Sequence, residues 1–148
     1  MQKDKLFIFR RGERALIKEI RGDIFTYAGQ YYAHCISKDC ALGMGIAVEF
    51  NKRFGLKPSL NKMVSEDSVC VLYNNIFNLI TKDKYWYKPT YKSLRLSLLA
   101  MRDIMVENNI HELAMPRIGC GLDKLSWDKV KDIIDEIFKD FTIYVYYY

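Results

Sequence analysis

Three stretches of the chain repeat apolar residues with the period of an amphipathic helix, at residues 46–54, 90–108 and 126–137. Gly55 follows the first stretch and suits a helix end, because glycine adopts a left-handed backbone easily. Thr90 and Ser126 can cap the first turns of the other two stretches. Each stretch therefore predicts a helix that packs one face on a core. The residues expected on these faces are Ile46, Ala47, Val48, Phe50, Phe54, Tyr91, Leu94, Leu98, Met101, Met105, Val130, Ile133, Ile134 and Ile137.

Short apolar runs between these helices predict strands. The run at residues 32–37 is continuous and does not alternate, which indicates a strand buried on both faces at the centre of a sheet. Residues 69–73 and 76–80 flank Asn74-Asn75, and because asparagine tolerates a left-handed backbone, we expect a tight hairpin. A hairpin or two separate strands are predicted around the turn at residues 11–13. The remaining predicted elements are strands at residues 6–9, 15–20, 113–115 and 142–148 and a short helix at 58–64.

This order of elements predicts an α/β fold, a single three-layer α/β/α domain with a central mixed sheet. A length of 148 residues suits one domain, which we place at residues 1–148. No apolar run approaches the ~20 residues that cross a bilayer, and the run that follows the N-terminus is too short for a signal peptide. We therefore expect a cytoplasmic protein without membrane contact, and we expect it to be a monomer.

Composition narrows the chemistry only a little. The net charge of +5 comes from interspersed acids and bases, so it favours anionic ligands without indicating a nucleic-acid-binding protein. Neither the cysteines nor the histidines have the spacing of a zinc motif, so we expect free thiols, no metal site and no cofactor. The residues concerned are Cys35, Cys40, Cys70, Cys120, His34 and His111.

Two glycine pairs lie between a predicted strand and a predicted helix: Gly43-Met44-Gly45 and Gly119-Cys120-Gly121. Backbone N–H groups in such a loop can converge on a phosphate, and open α/β sheets bind ligands where neighbouring strands end. Neither loop matches a Walker A or a G-x-G-x-x-G motif, which argues against P-loop hydrolysis and against a Rossmann site. A diphosphate between the two loops is the hypothesis, and ordinary strand-to-helix turns are the alternative.

Several motifs resemble, in order and approximate spacing, those of macrodomains, and more narrowly those of the terminal ADP-ribose protein glycohydrolase type. They are Gly22-Asp23 and residues 33–37, 42–47, 79–82, 88–91 and 115–125. The resemblance extends from about Ile20 to the C-terminus, and its most specific part is residues 116–123 together with Lys82.

The resemblance implies that the ligand is ADP-ribose, with the diphosphate between the two glycine loops and the distal ribose near Asp123. It also implies that Asp23 accepts a hydrogen bond from the adenine amino group, whereas an Asx-type turn is the structural alternative for Gly22-Asp23. Cys35 and Ser37 would line the floor of the site. The implied binding residues are Asp23, Ile24, Cys35, Ser37, Gly43, Met44, Gly45, Ile46, Pro116, Ile118, Gly119, Cys120, Gly121 and Leu122.

The resemblance further implies that Lys82 and Asp123 are catalytic and that the bond to be cleaved joins the distal ribose to a protein carboxylate. An unprotonated amine can attack the anomeric carbon or the aldehyde of the opened sugar, but free lysine, with a pKa of about 10.4, is mostly protonated at neutral pH. Asp123 is a candidate general base for this amine. An electrostatic role for the pair stays open, as does an ordinary exposed lysine at position 82.

The function expected from this resemblance is removal of terminal ADP-ribose from acidic side chains of modified proteins, with O-acetyl-ADP-ribose deacetylation as a related reaction. Lysines and aromatic residues alternate at residues 82–92, a mixture that can stack bases and hold phosphates. That segment keeps open removal of ADP-ribose from DNA, in the manner of some antitoxins, or nucleic-acid binding alone. A solvated loop and a non-catalytic ADP-ribose reader are the remaining alternatives.

Overall fold

The structure is a computed structural model that describes residues 14–148, and these residues contain six strands and four α-helices. The strands are β1 (Leu16–Arg21), β2 (Tyr32–Ser37), β3 (Cys70–Tyr73), β4 (Ile76–Lys82), β5 (Glu112–Pro116) and β6 (Thr142–Tyr147). The helices are α1 (Ile46–Phe54), α2 (Leu56–Met63), α3 (Tyr91–Glu107) and α4 (Trp127–Ile137), and a short 3-10 helix covers Ile24–Thr26. The strand predicted at residues 6–9 and the turn predicted at 11–13 lie outside the described residues.

All six strands form one sheet in the order β1-β6-β5-β2-β4-β3. The β3–β4 pair is antiparallel and the other pairs are parallel, which confirms the predicted mixed sheet. Strand β2 lies between β5 and β4, as expected for a strand with two buried faces. The two strands that precede the glycine loops, β2 and β5, are therefore neighbours.

The sheet separates two apolar cores, which confirms the three-layer arrangement. Leu98 of α3 and Ile134 of α4 are buried in one core, whereas Phe50 of α1 and Leu60 of α2 are buried in the other. Burying each such side chain stabilises the fold by about 1.5–3 kcal/mol. The predicted inward residues of the long helices are confirmed: Leu94, Leu98, Met101, Met105, Val130, Ile133, Ile134 and Ile137 are buried, and Tyr91 is partly buried.

Helix ends follow from local chemistry. The Thr90 hydroxyl accepts a hydrogen bond from the Ser93 N–H at 3.0 Å, and the Ser93 hydroxyl accepts one from the Thr90 N–H at 3.0 Å, which forms a capping box. Gly55, with φ of 61°, ends α1, and α2 begins at the next residue. The start predicted for α2 at residue 58 is therefore too late. Ser126 precedes α4, but its side chain makes no capping hydrogen bond.

The hairpin predicted between β3 and β4 is confirmed. Asn74 and Asn75 have φ values of 51° and 64°, so both adopt the left-handed backbone that a tight two-residue turn requires. Strand β4 continues to Lys82, which carries this lysine to the same edge of the sheet as the ends of β2 and β5. Within residues 14–148, every helix is too short or too polar to span a lipid bilayer.

Candidate active site

A cleft of about 1220 Å³ opens where the parallel strands end. Its walls are the loop after β2, which contains Gly43 and Gly45, and the loop after β5, which contains Gly119 and Gly121. Because β2 and β5 pair directly, the two loops face one cleft, as the sequence predicted. The carboxyl ends of neighbouring parallel strands are the usual ligand site of open α/β sheets. The cleft is large enough to hold a ligand of dinucleotide size.

All but one of the predicted site residues line this cleft. The exception is Asp23, whose Oδ1 accepts a hydrogen bond from the Phe25 N–H at 3.0 Å and so caps the short 3-10 helix. The Asx-type turn that competed with adenine binding is thus present, although its two neighbours, Gly22 and Ile24, do line the cleft. The lining residues that the sequence predicted are Ile24, Cys35, Ser37, Gly43, Met44, Gly45, Ile46, Lys82, Pro116, Ile118, Gly119, Cys120, Gly121, Leu122 and Asp123.

The glycines of the two loops differ in what they contribute. Gly45 has φ of 62° and ψ of −150°, and Gly119 has φ of 73°, so both occupy backbone regions that other residues rarely adopt. A Cβ on Gly119 would also lie 2.9 Å from Leu125 Cδ1. Gly121 has neither restriction, since a Cβ there would meet no atom of the described residues within 4 Å. Gly45 and Gly119 shape the backbone, and Gly121 leaves space beside it.

Two thiols line the floor of the cleft. Burial raises the pKa of Cys35 to about 12, with the charge of Asp123 adding to the effect. Burial likewise raises the pKa of Cys120 to about 11. Both sulfur atoms therefore remain protonated at neutral pH, and neither has the low pKa of a nucleophilic cysteine. No cluster of three or more histidine, cysteine, aspartate or glutamate side chains within residues 14–148 could hold a metal ion.

Lys82 and Asp123 meet in the cleft. Lys82 is the last residue of β4 and Asp123 belongs to the second glycine loop, and the Nζ atom of the lysine donates a hydrogen bond to Oδ1 of the aspartate at 2.8 Å. The two side chains are 15% and 17% exposed, so the contact is shielded but open to a ligand in the cleft. The distance allows direct proton transfer between amine and carboxylate. The structure brings together the two residues that the sequence nominated for catalysis.

Comparison with known proteins agrees with this geometry. No protein-family model matches the chain. The chain is 44% identical over 141 residues to ADP-ribose glycohydrolase OARD1 of Bos taurus, with 90% of the chain and 93% of the relative covered. Its identity to ADP-ribose glycohydrolase OARD1 of Homo sapiens is 43% over 141 residues, with the same coverage of both. The chain belongs to the ADP-ribose glycohydrolase macrodomains.

Solved structures show the same fold. The macrodomain of Thermus aquaticus DarG aligns with a TM-score of 0.82 at 19% identity and covers 90% of this chain and 99% of its own. Thermosipho africanus DarTG in complex with ADP-ribose aligns with a TM-score of 0.76 at 18% identity, covering 95% of this chain and 44% of its own. These alignments show the architecture of the macrodomain.

Asp39 links the first glycine loop of the macrodomain to residues 83–89. Its carboxylate accepts hydrogen bonds from the Ser37 hydroxyl, from the Ala41 N–H at 3.2 Å and from the Tyr85 N–H at 3.1 Å. Partial burial opposes ionisation, but these three hydrogen bonds together hold the pKa of Asp39 below its usual value. At the other end of the segment, Lys88 Nζ donates to the Leu122 carbonyl at 2.9 Å. Both glycine loops are therefore tied to one segment beside the catalytic pair.

Sequence analysis missed several residues that line the cleft of the macrodomain. Arg117 lies in the second glycine loop, where its guanidinium is 4.2 Å from the centre of the Tyr147 ring and 3.3 Å from a carboxylate oxygen of Glu19. Trp86 is 61% exposed at the mouth. The signal in the sequence was the density of aromatic residues at 82–92 and 142–148. The first segment was interpreted as a basic aromatic cluster and the second as a terminal strand. The missed lining residues include Tyr85, Trp86, Lys88, Arg117, Leu125, Trp127, Tyr146, Tyr147 and Tyr148.

Proposed function

We propose that this macrodomain binds ADP-ribose and hydrolyses the bond between its distal ribose and an acidic side chain of a modified protein. The observation that carries the proposal is the 2.8 Å contact between Lys82 and Asp123 inside a cleft walled by two glycine loops. A reader of ADP-ribose needs the loops but has no need of an amine paired with a carboxylate. The relatives that share 43–44% identity with the chain are named as glycohydrolases, which supports the catalytic assignment.

The two loops would hold the diphosphate. Gly45 precedes α1, and Gly45 and Ile46 both line the cleft, so N–H groups at the start of that helix are available to a phosphate there. The space beside Gly121 allows a phosphate to approach the opposite loop closely. With the diphosphate there, the distal ribose lies toward Asp123 and the adenosine toward Ile24 and Asp23. An adenine contact to Asp23 would use the carboxylate oxygen that does not cap the 3-10 helix.

The catalytic pair can cleave the ester in two balanced steps. Lys82 first passes a proton to Asp123, and the free amine then bonds to the anomeric carbon as the ester oxygen leaves with the bonding electron pair. Asp123 returns its proton to the leaving carboxylate and then takes a proton from water, as the water oxygen bonds to the anomeric carbon and the lysyl nitrogen leaves with its electron pair. That proton passes back to Lys82, and ADP-ribose is released. A second route keeps Lys82 charged: the ammonium stabilises the negative charge that develops on the leaving carboxylate, and Asp123 takes a proton from the water that attacks the anomeric carbon. The two routes differ in whether an adduct forms on Lys82.

Modified DNA is a second candidate substrate. Tyr85, Trp86 and Tyr87 are exposed beside the catalytic pair, with Lys84 and Lys88 in the same segment. Exposed rings next to lysines can stack a base and hold its phosphates. O-acetyl-ADP-ribose deacetylation is a further reaction for the same cleft, since it also removes an acyl group near the distal ribose. Whichever of these three substrates it uses, we propose that the protein is a monomer and acts in the cytoplasm.

A calorimetric titration followed by turnover assays tests the proposal. We expect ADP-ribose to bind in a 1:1 complex, and AMP or ADP to bind more weakly because they lack the distal ribose. Turnover is then compared on ADP-ribosylated protein, on ADP-ribosylated single-stranded DNA and on O-acetyl-ADP-ribose. Binding without turnover of any substrate would identify a reader, and the absence of binding would reject the site itself. Faster turnover of modified DNA than of modified protein would make DNA the substrate.

A further inference from the structure

A second, smaller cavity of about 310 Å³ adjoins the cleft. Thr81, Lys82 and Lys88 line both spaces, so the proposed catalytic lysine stands at the boundary between them. The rest of the smaller cavity is built by Ile80 of β4, by the residues just before β3 and just after β2, by the segment between β4 and α3 and by the first turns of α3. A ligand in the cleft that reaches Lys82 with its distal ribose therefore has this cavity available for whatever is attached to that ribose.

The smaller cavity is rich in positive charge. Lys38 and Lys88 line it together with Lys82, and Asp83 contributes the opposing carboxylate. Lys38 Nζ donates to the Glu66 carbonyl at 2.6 Å and lies 3.5 Å from Asp83, whose side chain is 68% exposed and therefore well solvated. An ammonium has three N–H donors, so these contacts leave Lys38 with capacity for a further acceptor. Its own side chain is 25% exposed, which limits screening by water.

The remaining walls suit a short aliphatic chain. Val69, Ile80 and Leu96 contribute apolar surface, and Thr90 and Ser93 contribute hydroxyl groups from the start of α3. A glutamate or aspartate side chain has this composition: one or two methylenes that end in a carboxylate. Among the described residues, the lining holds one aromatic ring, that of Tyr87, so it offers little surface on which bases could stack. The cavity therefore favours a carboxylate-bearing peptide over a nucleic acid.

Hydrolysis creates a negative charge at this boundary. Cleavage of the ester adds water across the bond between the anomeric carbon and the carboxyl oxygen, and the released glutamic acid, with a pKa of about 4.3, ionises at neutral pH. We propose that the smaller cavity is the leaving-group subsite, which receives the modified acidic side chain of a peptide substrate, with its carboxyl group at the Lys82 boundary and Lys38 beside the part of the peptide that lies beyond that carboxyl group. The inference rests on the proposed function and adds a specificity-determining residue to it.

The test compares two esters of ADP-ribose that share the same bond. In one, a glutamate within a short peptide carries the ADP-ribose, and in the other the acyl group is acetate, which does not reach deep into the cavity. We expect Lys38→Met to lower kcat/KM on the peptide ester by about three- to tenfold and to change it less than twofold on the acetyl ester. Lys38→Arg, which keeps the charge, should restore most of the peptide activity.

Lys52→Met provides the matched control, because Lys52 is an exposed lysine of α1 outside both cavities. It should leave turnover of both esters unchanged, and thermal unfolding should show that each variant is folded. Equal losses on the two esters in Lys38→Met, or no loss on either, would overturn the subsite while the hydrolase function stands. A loss confined to ADP-ribosylated single-stranded DNA would assign the cavity to nucleic acid instead. A wild-type protein inactive on every ester would reject the proposed function, and the subsite with it.

Discussion

The Lys82 ammonium and the Asp123 carboxylate are 41 positions apart in the sequence, yet they share a hydrogen bond in a shielded part of the cleft. Either residue alone has an ordinary structural explanation, as a lysine at a strand end or an acid in a loop. Together they form an acid–base pair at the place where the distal ribose is proposed to lie. Their roles in binding and in catalysis are therefore separable by substitution.

Lys82→Ala and Asp123→Ala should each reduce kcat by about 100-fold or more, because each removes a partner in proton transfer. The affinity for ADP-ribose should change far less, since the glycine loops still hold the diphosphate. The double variant should be little worse than the more damaged single one, because the two residues act as a unit. Steady-state kinetics and calorimetric titration measure the two effects. Full activity in Lys82→Ala would leave Asp123 as the sole candidate.

The covalent route requires an ADP-ribose adduct to form on Lys82 during turnover. Mass spectrometry of enzyme held with substrate, or trapping with a reducing agent, should find an ADP-ribose adduct on Lys82 that is missing from Lys82→Ala. Lys82→Arg separates the two routes, because a guanidinium keeps the positive charge but attacks carbon poorly. No adduct together with near-normal activity in Lys82→Arg would rule out the nucleophile and favour the electrostatic route.

His34 is a buried residue that the proposed chemistry does not use. Its Nε2 lies 2.6 Å from Asn78 Oδ1, and because the Asn78 amide nitrogen donates to the Val71 and Ile76 carbonyls, Nε2 must be the donor in this contact. Nδ1 is buried and makes no hydrogen bond to any of residues 14–148. Burial lowers the pKa of His34 to about 4, although the Asn78 contact opposes the shift. A neutral imidazole is thus part of the folded core.

Acid should therefore destabilise the fold through His34. The unfolded chain binds this proton near pH 6.5 and the folded one only near pH 4, so the unfolded state is favoured progressively as the pH falls between these values. At pH 4 this proton uptake should lower the free energy of unfolding by about 3 kcal/mol, since each unit of pKa difference is equivalent to 1.36 kcal/mol. Urea unfolding of wild type and His34→Gln at pH 7 and pH 4 measures it. If the free energies of unfolding of wild type and His34→Gln differ by the same amount at pH 7 and at pH 4, His34 does not titrate as proposed.

At the scale of elements, the two glycine loops together combine a backbone requirement with a requirement for space. Gly45 and Gly119 have positive φ values, whereas Gly121 has an unrestricted backbone and an open side. These requirements respond differently to a larger side chain, because a strained backbone destabilises the fold itself and a filled space obstructs only a ligand.

Gly121→Val should leave the free energy of unfolding nearly unchanged and reduce the affinity for ADP-ribose. Gly45→Val should reduce both, since it adds backbone strain of about 1–2 kcal/mol at a loop that also lines the cleft. Gly55→Ala is the matched control, with a φ of 61° at a helix end outside the cleft, and should lower stability alone. Denaturant unfolding and calorimetric titration provide the two measurements. Unchanged affinity in both valine variants would remove the phosphate-loop assignment.

At the scale of the whole molecule, the cleft draws its lining from the ends of β1, β2, β4, β5 and β6 and from the loops that follow them. Two cores pack against the single sheet that carries these strands, so unfolding of the sheet removes the site completely. A ligand held by this cleft binds the folded chain and has no comparable site on the unfolded one. ADP-ribose binding and global stability are therefore linked.

ADP-ribose at 100 times its Kd should stabilise the fold by about 2.7 kcal/mol. For a chain of this length we expect Tm to rise by about 5–10 °C, and AMP at the same concentration should raise it less. Asp123→Ala should show a similar shift, because the proposed proton acceptor is not needed for binding. Differential scanning calorimetry measures all three. A Tm that ADP-ribose leaves unchanged would contradict binding at this cleft.

Local sequence determined the elements. The hydrophobic period placed α1, α3 and α4, and the Asn74-Asn75 pair placed the hairpin, because these signals depend on residues within a turn or two of one another. The macrodomain resemblance supplied the residue types expected at positions 82 and 123. The predicted start of α2 was wrong, because Gly55 caps the C-terminus of α1 and also the N-terminus of α2.

Tertiary structure decided how these parts meet. The order β1-β6-β5-β2-β4-β3 sets β5 beside β2, which makes one cleft from two loops more than 70 residues apart. The 2.8 Å distance from Lys82 to Asp123, the hydrogen bond from Tyr85 to Asp39 and the smaller cavity at Lys38 all depend on that order. Strand order is set by the joint burial of both sheet faces, a property of the whole chain that no local window of sequence contains.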